Sequence, residues 1–122
     1  MNDDISKSDF ENFLIRKGFT FEIRQIPGNL MVYIINDYIV PNGLNQGKHI
    51  SIGFPIPPDY PSTAPYGIHV NATGLEGNLT NINPSPLGGN WKFWSKRMGN
   101  WVPGRRNSQY YFDFANRLLE GV

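Results

Sequence analysis

The sequence predicts an α+β fold: an antiparallel meander of about four strands between an N-terminal and a C-terminal helix. Two observations carry this. Apolar and polar residues alternate with a period of two through much of the stretch from Phe19 to Val70, in runs separated by short Pro, Asn and Gly turns. Both ends of the chain instead space their apolar residues at helical intervals. Links this short favour antiparallel pairing, because parallel strands need a crossover of a dozen or more residues. The 122 residues suffice for one core, so residues 1–122 are read as one domain.

Ser8 is the candidate cap of the first helix, with Glu11 three residues on as its capping-box partner. Phe10, Phe13 and Leu14 share a face, and Gly18 is a natural stop. Phe19 to Ile26 alternates Phe19, Phe21 and Ile23 against Thr20, Glu22 and Arg24, and Pro27-Gly28-Asn29 turns the chain. Leu30 to Val40 is apolar and β-branched around Asn36-Asp37, and reads as one long strand or two. His49 to Phe54 places Ile50, Ile52 and Phe54 on one face. A stiff turn follows. Pro55, Pro57, Pro58, Pro61 and Pro65 exclude a helix or a central strand, since proline fixes φ and lacks a donor. Ile68 and Val70 make the fourth strand.

Ala72 to Asn90 reads as a long loop, rich in Gly, Pro and Asn. Three tryptophans follow within WKFWSKRMGNW. They either pin the loop to the core or expose an aromatic and basic surface, with Trp94, Lys96 and Arg97 as its contact residues. After a turn at Pro103-Gly104, Asn107 or Ser108 caps a last helix. Its apolar face is Tyr110, Tyr111, Phe114, Ala115, Leu118 and Leu119, and Gly121 ends it.

Composition narrows function. The chain has no cysteine, which excludes disulfides, thiolate metal sites and thiol catalysis. Two histidines twenty positions apart, with no carboxylate cluster, predict no metal and no cofactor. A net charge of +1 and the absence of a nucleic-acid motif argue against nucleic acid as a partner. Lys92, Lys96, Arg97, Arg105 and Arg106 nevertheless fall in a stretch, Gly77 to Phe112, without an acidic residue. They either solubilise the surface or steer an acidic partner. The acidic start shows no secretory signal and no apolar run spans a bilayer, so a cytoplasmic protein with no membrane partner is expected.

The segment F-P-x-x-x-x-Y-P-x-x-x-P, built on Tyr60, Pro61 and Pro65 between two strands, resembles the signature of the ubiquitin-conjugating-enzyme (UBC) and RWD-like fold. Trp101-Val102-Pro103-Gly104 before a helix is similar to the W-S-P-A stretch after the conjugating-enzyme site. With Trp91, Trp94 and Ser95, the chain most resembles the bacterial prokaryotic family E of conjugating-enzyme-like proteins. The resemblance implies a ubiquitin-like protein and an activating-enzyme-like protein as partners. It implies docking through the first helix, at Phe10, Phe13, Arg16 and Lys17; the alternative is that this helix only packs on the sheet. The acceptor cysteine is missing. Ser95, six positions before Trp101, is the candidate oxyester carrier, with Asn83 as an oxyanion donor and His69 as a base. Two alternatives stand beside this: a catalytically inactive partner-binding scaffold, and an unrelated α+β ligand-binding module using the Trp-rich loop.

Overall fold

The computed structural model describes residues 5–77, 81–99, 101–102 and 107–121. It is α+β. The elements run α1 (Ile5–Arg16), β1 (Glu22–Ile26), β2 (Leu30–Ile39), β3 (His49–Ile56), β4 (Ile68–Asn71), β5 (Ile82–Pro84), β6 (Lys92–Trp94) and α2 (Ser108–Glu120). The strands form one antiparallel sheet of six, in the order β1-β2-β3-β4-β6-β5.

The first four strands follow the alternation. Tyr33, Ile35, Ile50, Ile52, Phe54, Ile68 and Val70 face the helices and are buried with Phe10, Phe13 and Leu14 of α1 and Tyr111, Phe112, Ala115 and Leu119 of α2. Val32 and Ile34 point to the opposite face. α1 begins at Ile5, so Ser8 lies inside the helix and not at its cap. It ends where expected: Gly18 has φ 83°, and the N–H groups of Gly18 and Phe19 bond to Ile15 O and Leu14 O. Phe19 and Phe21 pack against the core ahead of β1, whereas Ile23, on the edge strand, is 40 % exposed. β2 is one strand, bulged between Ile35 and Tyr38, with Asp37 at φ 58°. β3 runs through Pro55, which pairs with Val32 beyond the end of the β4 ladder, since β4 pairs with β3 only at residues 51–53. Asn107 caps α2 by accepting from Tyr110 N at 2.8 Å, and Gly121 ends it at φ 86°.

Two strands were not expected. Within the Gly-, Pro- and Asn-rich stretch and the start of the Trp segment, β5 and β6 form a hairpin that adds to β4. Three residues per strand are too few for alternation to register. The connecting loop folds over the second face of the sheet. Leu87 is buried there with Ile26, Val32 and Ile34, and Trp91 packs alongside. Arg24 Nη2 donates to Leu87 O at 3.4 Å. The sheet is thus covered by helices on one face and by its own hairpin loop on part of the other.

Buried polar groups tie the periphery down. Asn45 is fully buried; its amide donates to Leu119 O and Glu76 O at 2.7 and 3.0 Å and accepts from Glu76 N at 2.8 Å. Tyr111 Oη donates to Gly67 O at 2.7 Å, and burial pushes its pKa up, keeping it a donor. Trp94 Nε1 is the one buried side-chain polar atom without an acceptor among the described residues. None of the described helices is long and apolar enough to cross a membrane.

Candidate functional site

The proline turn and the segment around Ser95 meet through aromatic side chains. Tyr60 is 1 % exposed, and its hydroxyl lies 2.5 Å from Ser108 Oγ at the start of α2. Burial raises its pKa far above the usual phenol value, so the hydroxyl stays protonated. The Tyr60-Pro61 peptide is cis. Trp101 donates its indole N–H to Pro61 O at 2.7 Å and packs its ring against Tyr60 and Tyr110, with centroids 5.9 and 6.1 Å away. The tryptophans are therefore structural pins. Trp94 fills the main core, Trp91 the second face, and Trp101 the proline turn.

Ser95 follows β6 directly. Its N–H and its hydroxyl both donate to Asn81 O, at 2.9 and 3.1 Å. A backbone carbonyl holds the hydroxyl proton but cannot take it away. Asn81 adopts φ 65° at this closing point of the hairpin. Asn83, His69 and Phe93 lie in one cross-strand row, since Phe93 is paired with both others. Asn83 is exposed, while His69 is 2 % exposed beneath the Phe93 ring, at a centroid distance of 4.7 Å. His69 is not bonded to Ser95; its Nδ1 lies 2.8 Å from Ser85 Oγ. Burial lowers the His69 pKa to about 4.

The expected docking residues divide by exposure. Phe10, Phe13 and Trp94 are core residues, whose surface is already used inside the molecule. Arg16, Lys17 and Arg97 are exposed, and Lys96 is half-buried. Arg16 and Lys17 edge a cleft of about 370 Å³ with Asp9, Phe13 and residues 107–109 at the start of α2. Arg97 lies over the Tyr66 ring at 5.3 Å, and Tyr66 leans on Phe93. A larger cleft, about 470 Å³, opens at the β2 bulge between Phe19 and Tyr38, and Gly18, the residue after Lys17, also lines it. Among the described residues no group of three or more His, Asp or Glu is placed to hold a metal ion. Asp3, Asp4, Pro103, Gly104, Arg105 and Arg106 lie outside the described residues.

Ser85 is the residue that sequence reasoning did not single out. It is buried, it faces His69, and the hairpin alone brings the two together across sixteen positions. The available signal was its place two residues after Asn83, on the same face of an extended segment.

No protein-family description matches this chain, and neither a curated protein nor a solved structure matches it at significance.

Proposed function

We propose that this chain is a UBC-like component of a bacterial ubiquitin-like conjugation pathway, receiving a ubiquitin-like protein from an activating enzyme. The observation that carries the reading is the contact between its two motif segments. Trp101, of the W-x-P stretch, bonds Pro61 of the Y-P-x-x-x-P turn across 40 positions, so residues that resemble one signature also meet in space. Ser95 sits between them in the chain, at the end of β6, as the hydroxyl on which the modifier is carried. Its proton is bonded to a carbonyl, so the transfer draws on an activated donor, a thioester or adenylate. Such a donor brings its own good leaving group and asks less of a weak nucleophile. The exposed cations Arg16, Lys17 and Arg97 supply the docking charge.

The second reading is a scaffold that binds the same partners and does no chemistry. Among the described residues the Ser95 hydroxyl donates to the Asn81 carbonyl and not to a base, which favours it specifically. Intact-mass analysis with the activating enzyme, the modifier and ATP separates the two. A hydroxylamine-sensitive adduct lost in Ser95→Ala supports the carrier. A stable complex without adduct supports the scaffold.

A further inference from the structure

Ser85 and His69 form a nucleophile–base contact that the proposed function does not use. Ser85 Oγ accepts the Leu87 N–H at 3.0 Å and lies 2.8 Å from His69 Nδ1, with one proton and one lone pair left for that contact. The tautomer that carries its proton at Nε2 leaves Nδ1 to accept the Ser85 proton, and acyl transfer at Ser85 uses that tautomer. Other serine and threonine hydroxyls have other partners. Ser95 bonds Asn81 O, Ser51 bonds Asn36, and Thr63 bonds Asp59.

The pair is held from several sides. Ser85 N donates to Trp91 O and Gly88 N to Ser85 O, which fixes the hairpin loop around the hydroxyl. The Phe93 ring covers His69, and Leu87 closes the loop onto Val32 and Ile34. Ser85 as a residue is 8 % exposed, which restricts the donor to one with a small acyl group.

We propose that Ser85, with His69 as its base, is an acyl-accepting site for small activated esters and thioesters, complete within this chain and separate from Ser95. In the step, Ser85 Oγ attacks the acyl carbon and the Oγ–C bond forms. The bond from that carbon to the leaving oxygen or sulfur breaks, and the leaving group departs with its electron pair. The hydroxyl proton passes to His69 Nδ1 and from there to the leaving group or solvent. The burial that keeps His69 neutral across the physiological range also makes it a weak base. The donor must then be one whose leaving group needs no protonation, which is why the class is activated esters and thioesters and not amides.

The test is acetylation of the full chain by p-nitrophenyl acetate, followed by intact mass and peptide mapping, with circular dichroism to verify each variant's fold. Acetyl should appear on Ser85, be absent in Ser85→Ala, and form roughly 100-fold more slowly in His69→Gln, the scale of general-base catalysis. Ser51→Ala should label like wild type. Because loss of the hydroxyl removes two buried bonds, Ser85→Cys is the companion variant. Its thiol should react with a disulfide reagent faster than the thiol of Ser51→Cys, and lose that advantage once His69 is also changed to Gln. Acetyl on lysines or Ser95 in place of Ser85, or a Ser85 rate unchanged in His69→Gln, would overturn the proposal. Acetylation of Ser85 with no modifier adduct in the conjugation assay would uphold it while removing the conjugation reading.

Discussion

Changing His69 to Gln should flatten the dependence of stability on pH. His69 has a folded pKa of about 4 against an ordinary value of 6.5, through burial. A depressed folded pKa means that the unfolded chain binds the proton more tightly. Stability from this group is therefore full above pH 6.5 and falls as pH drops toward 4. At about 1.4 kcal/mol per pH unit, the gap corresponds to up to about 3 kcal/mol, with unfolding favoured on the acid side. His69 Nδ1 contacts the Ser85 hydroxyl at 2.8 Å. Glutamine keeps a carbonyl oxygen for that hydroxyl and gains no proton. Urea unfolding between pH 4 and 7 should show wild type losing up to about 3 kcal/mol more than His69→Gln across this window. Parallel profiles for the two proteins would mean that His69 titrates as an exposed histidine does and is not buried beneath Phe93.

Asn45→Ala should destabilise the fold by about 3 kcal/mol, measured as a shift in the urea midpoint, because it leaves the buried Leu119 O and the partly buried Glu76 N–H without their partner. A shift under about 1 kcal/mol would show that water replaces the amide there. Gly67→Ala should cost about 2–3 kcal/mol by thermal unfolding: Gly67 has φ 71°, and a Cβ would stand 2.4 Å from Trp94 O and 2.9 Å from Phe93. Unchanged stability would mean that β4 and β6 are less closely paired than described.

The first four strands and both helices were legible because each buries one face, and a buried face writes its period into the residues. Ile50, Ile52 and Phe54 illustrate this in β3, as do Tyr111, Ala115 and Leu119 in α2. Phe112 of α2 also enters the core, because a broad helix face takes in a residue next to the stripe. The β5–β6 hairpin left no such trace. Its strands are short, Pro84 and Asn83 are exposed, and its one plug, Leu87, sits in the loop and not in a strand. His69 was legible as a candidate because it follows the proline turn. Its partner was not, because a contact between β4 and residue 85 exists only once the hairpin is built. Phe10 and Phe13 show the opposite ambiguity: an apolar helix face can be a dock or a core, and here the sheet occupies it.

The conjugation reading is tested most directly by intact-mass analysis after incubation with an activating enzyme, a ubiquitin-like protein and ATP, in wild type and Ser95→Ala. The account predicts a wild-type adduct that survives thiol reductant, is cleaved by hydroxylamine, maps to Ser95 and is lost in the variant. The absence of an adduct in wild type, or an adduct that persists in Ser95→Ala, would contradict it.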